Sequence, residues 1–188
     1  FCSHCCIGKS QCLPTFPSNT ASAKPFDLVF TNLWGPTPFP SPLGYRYYVT
    51  FVDANTRFTW FYLLKNKSDT FETFKLFKTM VLNQFNSSIK AVQSDWGGEF
   101  RPFTKFLSDH DIQHRRICPQ THHSRAQAQT IVELGLTLLS QAKLPLHYWD
   151  HAFVSSIYLI NRLPSSAIDD EVPYQKLLKK QPDCSFLM

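Results

Sequence analysis

Two polar side chains sit where a strand hands over to a turn, and their types pose the chemical question. Asn32 lies near the end of "FDLVFTNLWGP" (residues 26–36), and Asp95 closes "SIKAVQSD" (88–95) before Trp96-Gly97-Gly98. Acidic side chains at the ends of neighbouring strands commonly hold a divalent metal for phosphoryl transfer. Clustered carboxylates offset part of the ion's charge and supply hard oxygen ligands. Asp95 has that chemistry. Asn32 offers one neutral carbonyl oxygen where a carboxylate offers two anionic ones, so it is either an ordinary strand-end amide or what is left of a catalytic acid. Cys2-x-x-Cys5 is a second candidate. Its spacing suits zinc, but one pair supplies only two of the four ligands a structural site needs. His122-His123, with His110 and His114 nearby, form a third group. Adjacent loop histidines point in different directions and no cysteine lies at zinc spacing, so this stretch reads as a solvated loop.

The elements that must position these residues follow from periodicity. "FDLVFTNLW" is strand-like, and "YRYYVTFVDA" (45–54) and "RFTWFYLL" (57–64) are β-branched and aromatic runs joined by a short polar turn, a hairpin signal. Phe71, Phe74, Phe77, Val81 and Phe85 then step by three or four, which predicts an amphipathic helix with Asp69 as N-cap and Glu72 at capping-box spacing. A strand over 88–95, a short helix near 102–110 and a short strand "QHRRIC" (113–118) come next. From 125 to 163 the pattern predicts two helices broken at Pro145, and a last turn or helix follows Pro173. This order describes a mixed sheet flanked by helices, α/β in class. The two strands ending at Asn32 and Asp95 must be neighbours for their ends to cooperate.

Composition narrows the class. With 188 residues, 43% hydrophobic and 15% aromatic, one domain with a sizeable core is expected. No apolar run reaches the roughly 20 residues of a membrane span, and "FCSHCCIGKSQC" lacks the apolar stretch of a signal peptide. The start at Phe1 is expected of a segment from a longer polyprotein. Cys2, Cys5, Cys6 and Cys12 crowd one end while Cys118 and Cys184 stand alone, unlike a disulfide framework. A net charge of +5 permits a phosphate-backbone partner without demanding one. Lys65, Lys67, Lys75, Lys78 and Lys90 are read as surface solvation, Arg115-Arg116 as half inward and half outward on a short strand, and the aromatics of "RFTWFYLL" as sheet packing.

Seven blocks taken in order resemble the integrase region of copia-type retrotransposon polyproteins: "FDLVFTNLWGP", "YYVTFVDANTRFTWFYLLKNKS", "QSDWGGEF", "ICPQTHH", "IVELGLTLL", "YWDHAFVSSIYLINRLPS" and "PYQKLLKKQPD". The resemblance implies a ribonuclease-H-like fold, with a mixed five-stranded sheet flanked by helices, and a site of two aspartates and one glutamate holding magnesium or manganese. It also implies DNA as partner, a possible homo-oligomer, a nuclear location and no membrane. It divides the chain into a remnant of a His-His-Cys-Cys zinc module (1–16), a linker (17–25) and a catalytic-core-like domain with a C-terminal helical extension (26–188). Zinc at Cys2 and Cys5 then requires histidines upstream of Phe1.

The resemblance also answers the question about Asn32. The family has Asp before Leu-Trp-Gly-Pro, and this chain has Asn32. Asp95 matches the second aspartate and is the retained magnesium ligand. The glutamate block is shortened to "HHSRAQAQTIVE", and Gln127 best matches the third acid. Two degenerate positions out of three imply loss of catalysis. Glu133 lies six residues beyond Gln127, about 240° around a helix, and corresponds to the family's own glutamate in "IVE". Glu99 and Asp53 likewise match ordinary positions. The family's His-rich loop lies near substrate DNA, so His122, His123 and Arg125 are nucleic-acid contacts by resemblance. The alternative is a non-enzymatic relic that binds DNA or a protein.

Overall fold

Strand pairing sets the architecture, a five-stranded mixed sheet in the order β3-β2-β1-β4-β5. The computed structural model describes residues 22–94, 97–116 and 123–183, with side chains over 123–127 outside the description. Cys2, Cys5, Asp95 and His122 therefore lie outside the described residues, as do all of the segment 1–16 and most of the linker 17–25. β1 (Val29–Trp34), β2 (Tyr47–Asp53) and β3 (Thr59–Leu64) form an antiparallel meander. β4 (Ala91–Ser94) runs parallel to β1, and β5 (Gln113–Arg116) runs parallel to β4. The helices are α1 (Thr70–Phe85), α2 (Arg101–Asp109), α3 (His123–Ala142), α4 (Trp149–Ile160) and α5 (Pro173–Leu178). The α/β class and the element order agree with the sequence reading. Among the described residues no helix is long and apolar enough to cross a membrane.

The phenylalanine periodicity does what its spacing predicts. Phe74, Phe77 and Val81 of α1 are fully buried against Val29, Val49 and Phe51 of the sheet, with Phe103 and Leu107 of α2 in the same cluster. Phe51 stacks on Phe77 with ring centroids 4.4 Å apart. The aromatics of β3 alternate as expected: Trp60 packs on Phe77 at 5.1 Å, and Phe61 meets Tyr48 at 4.9 Å within the cluster on the other face. That second cluster joins Tyr48 to Ile131 and Leu139 of α3 and to Trp149 and Phe153 of α4.

The start of α1 differs from expectation. Asp69 has helical dihedrals and makes no capping bond to α1. Its carboxylate instead accepts the backbone N–H of Asn66 at 3.1 Å across the short 3-10 turn Lys67–Asp69, so the capping box lies one turn earlier. Glu72 pairs with Lys75 at 2.7 Å. The strand expected from residue 88 begins only at Ala91.

Two close approaches hold the layers together. A Cβ on Gly135 of α3 would stand 2.2 Å from the Phe153 ring, so the glycine lets α4 seat its aromatic against the α3 backbone. At the β3 edge, the buried Asn161 side chain accepts the Thr59 N–H through Oδ1 and donates to the Thr59 carbonyl through Nδ2, both at 2.8 Å.

Gly135→Ala tests the first contact. Alanine in a helix interior gains up to about 1 kcal/mol over glycine, but overpacking against a buried ring costs about 1–3 kcal/mol. A net loss is expected, read as a melting temperature lowered by a few degrees at about 2–4 °C per kcal/mol. A raised melting temperature would show that Phe153 moves freely. Asn161→Ala strands a buried N–H and C=O, at about 1–3 kcal/mol for each unsatisfied group, so it should lower the thermal midpoint further than Gly135→Ala does.

Candidate functional site

β1 and β4 bring the two strand ends of interest together. Their parallel register pairs Val29 with Val92 and Phe30 with Gln93, so Asn32 and Ser94 emerge at the same end of the sheet. Alternation along β1 puts Phe30, Asn32 and Trp34 on one face. That face carries α3 and α4, because Trp34 stacks on Tyr48 at 5.2 Å and meets Trp149 and Phe153 at 6.0 and 5.9 Å. Asn32 is half-buried there, and its backbone carbonyl accepts the Thr50 hydroxyl at 3.4 Å. After Trp34 the chain turns at Gly35, whose φ of +126° and 2.6 Å approach to the Arg46 carbonyl leave no room for a side chain.

α3 contacts β1 and carries His123, Arg125 and Gln127 in its first turns. The helix bearing Gln127 thus packs on the sheet face to which Asn32 belongs. Asp95 follows directly on Ser94 in sequence.

The other acids have structural partners. Asp53 is fully buried and accepts the Phe26 N–H at 2.8 Å on Oδ1, and the Thr56 N–H and hydroxyl at 2.8 and 2.7 Å on Oδ2. Burial pushes its carboxyl up, and these donors pull it partly back. Glu99 has a side chain only 6% exposed, with Oε2 2.9 Å from Lys67 Nζ. Its carboxylate folds so closely over Gly97 that a Cβ there would stand 2.4 Å away. Glu133 Oε1 accepts the Gln129 amide at 2.9 Å. Sequence reasoning missed the Lys67–Glu99 pair because 32 residues separate its members (99 − 67 = 32).

Among the described residues, no group of three His, Cys, Asp or Glu side chains could hold a metal. The donor set at the end of β1 is a neutral amide, and Glu99 and Asp53 are engaged elsewhere. The described residues therefore do not fit a magnesium pair. A cavity of about 430 Å³ is lined by Asp170, Glu171, Val172, Gln175, Lys176 and Lys179. It belongs to the C-terminal extension and includes none of the candidate residues.

The remaining candidates resolve into packing. Lys75 pairs with Glu72 and lies 4.3 Å over the Phe71 ring, Lys90 pairs with Asp27 at 2.5 Å, and Lys65 lies 6.0 Å over Tyr45. His110 bonds the Phe106 carbonyl at 2.8 Å through Nδ1. His114 bridges Ser94, at 2.9 Å from Nε2, and Thr104, at 3.4 Å from Nδ1. Ser94 is buried, so this Ser-His pair is closed to substrate and instead ties β4, β5 and α2 together. The arginine pair departs from expectation. Arg115 and Arg116 are both exposed, because β5 is an edge strand with less packed against it.

With this geometry in place, the class is that of a ribonuclease-H-like α/β domain with the architecture of retroviral integrase cores. The structure of the HTLV-2 integrase catalytic core domain in complex with magnesium, in its trimeric form, aligns with a TM-score of 0.58 at 16% identity, covering 84% of this chain and 99% of that one. The dimeric form gives 0.56 at 19% identity, over 82% and 97%. Residues 23–122 match the integrase core domain family, and the chain belongs to that family. It is 44% identical over 186 residues to the retrovirus-related Pol polyprotein from transposon RE2 of Arabidopsis thaliana, spanning 97% of this chain and 13% of that protein. It is 34% identical over 192 residues to the corresponding polyprotein from transposon TNT 1-94 of Nicotiana tabacum, spanning 99% and 14%. The chain therefore spans a small part of the curated relatives it matches.

His114 gives this region a pH signature. Burial, and then the Arg116 charge, hold its imidazole below the ordinary value of 6.5. A base depressed in the fold binds fewer protons there than in the unfolded chain. Its stabilising contribution is therefore complete above about pH 6.5 and is lost as pH falls through that value toward the depressed one. Melting temperatures of the parent and His114→Gln should diverge between neutral and mildly acidic pH, the parent falling more steeply. A pH-independent difference would rule this out.

Proposed function

We propose that this chain is the catalytic-core-like part of a retrotransposon integrase, that DNA is its partner, and that it has lost phosphodiester chemistry. One observation carries the reading: Asn32, an amide, stands at the end of β1 beside β4 and on the α3 face, where a carboxylate is needed. The resemblances support the rest. Its relatives are Pol polyproteins of transposons, and a protein of the same fold was solved with magnesium.

In an intact set, divalent metal supplies the activated oxygen nucleophile and stabilises the leaving oxygen. Here Asp95 is the one acid retained, while Asn32 and Gln127 withdraw two negative charges and leave two neutral carbonyl oxygens in place of four anionic ones. Losing one member of a set that acts as a unit costs several orders of magnitude, and a second loss adds little. Magnesium or manganese is accordingly weakly held in this reading. Zinc enters only if histidines upstream complete Cys2 and Cys5. His122, His123 and Arg125 are the DNA contacts of this reading, which the family resemblance supports. Homo-oligomerisation is the expectation set by the dimeric and trimeric HTLV-2 forms, and a nuclear location follows from the family alone.

Nicking of a labelled DNA duplex with magnesium or manganese tests the reading. The parent and Asp95→Ala should be equally silent, and Asn32→Asp/Gln127→Glu should gain metal-dependent cutting that Asp95→Ala abolishes again. Cutting by the parent, lost in Asp95→Ala, would overturn the assignment of a dead site. A silent double variant would remove Gln127 from the third position.

A further inference from the structure

The connection between β1 and β2 carries an alternating run, Pro36-Thr37-Pro38-Phe39-Pro40-Ser41-Pro42. All four prolines are exposed, while Thr37 and Ser41 are buried. The two buried residues fasten the loop to itself. Thr37 donates its N–H to the Arg46 carbonyl at 2.8 Å and its hydroxyl to the Phe39 carbonyl at 3.2 Å. Ser41 donates its N–H to the Tyr45 carbonyl at 3.0 Å, and its hydroxyl accepts the Tyr45 N–H at 3.2 Å. Trp149 Nε1 donates to the Phe39 carbonyl as well, at 3.1 Å, and ties the loop to the start of α4. Phe39 is thus held by its backbone while its ring stays 54% exposed, and Leu43 is 61% exposed. Leu144 and Leu146, in the connection that leads into Trp149, are exposed too.

An exposed apolar side chain alone means little. Here several gather on two fastened connections, and the backbone chemistry narrows what can cover them. Proline has no N–H to donate. Of the three N–H groups between Pro36 and Pro42, those of Thr37 and Ser41 are spent inside the loop. A partner strand finds too few donors to pair with, so rings and carbonyls are what remains to be recognised. Grooves that recognise proline do so with aromatic walls packed on the rings, and a segment already ordered loses little entropy on docking. The Gly44 N–H closes a turn on the Ser41 carbonyl at 2.8 Å, so the groove meets a short bent ridge. We propose that residues 36–43 form a docking loop for a protein with an aromatic-lined, proline-recognising groove, which Phe39 and Leu43 enter beside the prolines.

Charge selects the rim of that groove. Arg46 and Lys143 are exposed at the two connections. Residues 35–47 and 141–149 contain no acid, and Asp150, next in sequence, is buried. The Arg46 N–H donates to the carbonyl of Leu64 at the end of β3. The first acid beyond that strand, Asp69, follows Lys65 and turns its carboxylate to Asn66 and Ser68. A groove rimmed by acids complements this surface. A second copy docking through the same patch would bring basic side chains together. Neither DNA nor the fate of the acids at Asn32 and Gln127 enters into this docking.

Titration of the full chain with purified WW, SH3 and EVH1 domains, chosen with acids at the groove rim, tests the loop. Saturable binding by at least one is expected, displaced by that domain's own proline-rich peptide. Phe39→Ala/Leu43→Ala should weaken it on the order of tenfold. Arg46→Gln/Lys143→Gln should weaken it about two- to fivefold and reduce its salt dependence. Leu76→Ala/Leu82→Ala, which removes exposed side chains from α1, should change nothing. All six side chains are exposed, and thermal melts matching the parent's check that the fold is kept. Equal losses in the α1 variant would reduce the effect to general apolar adhesion and overturn the loop. Binding that the proline-rich peptide does not displace would overturn the groove as the contact. No binding by any of the three domains would overturn the proposal. So would a dimer of this chain, seen by sedimentation, that Phe39→Ala/Leu43→Ala dissolves, since a second copy would then cover the loop.

Discussion

The candidate site depends on one pairing, that of β1 with β4. Two strands distant in sequence can lie parallel only if the chain crosses back between them, and here the return passes through the β2–β3 hairpin and α1. That detour is stabilised by its own packing. Phe51 of the hairpin and Phe77 of α1 stack within the same cluster that holds Val29 of β1 and Val92 of β4. The pairing and the core under it are therefore a single event. Without it, Asn32 and Ser94 would not emerge at the same end of the sheet.

Burial on both faces keeps this pairing rigid, and the two faces use different chemistry. The α1 face is dominated by phenylalanine packing. The α3–α4 face mixes Trp34, Tyr48 and Trp149 with Phe153, seated over a glycine. Tyr48 is held there with a buried hydroxyl, and burial pushes its titration far above the ordinary range. An amide at Asn32 sits more easily beside such a surface than an unpaired carboxylate, whose desolvation is costly in the absence of a cation. The amide is thus the easier of the two residues to fold at this position.

The strongly periodic parts of the fold were legible from residue types alone. Phe71 to Phe85 defined α1, and the polar break between "YRYYVTFVDA" and "RFTWFYLL" located the hairpin, because both signals are local. Long-range partnerships were not. Nothing near Asn161 announces that its amide serves Thr59, or that Lys67 serves Glu99, since each pair is assembled only by the finished sheet. Asp69 stands at the N-cap position its type predicts, but its side chain serves the preceding turn: the same carboxylate fits both roles in sequence, and the 3-10 turn claims it. Arg115 and Arg116 were read with the alternation of an internal strand, whereas β5 is an edge. At the candidate site, the order of blocks points to Asn32 and Asp95, of which only Asn32 lies among the described residues, while the shortened stretch before "IVE" leaves Gln127 as the nearest match to the third acid.

Asn161 has a consequence beyond the stability of α4. Its amide presents a carbonyl and an N–H to Thr59 in the manner of a backbone, so it occupies the place that a passing strand from another molecule would take. Exposed sheet edges are templates for edge-to-edge self-association unless they are covered, shortened or charged. In this chain a side-chain mimic blocks β3 at Thr59, and two arginines guard the short β5. A domain built around a large aromatic core thereby keeps its sheet from growing into its neighbours.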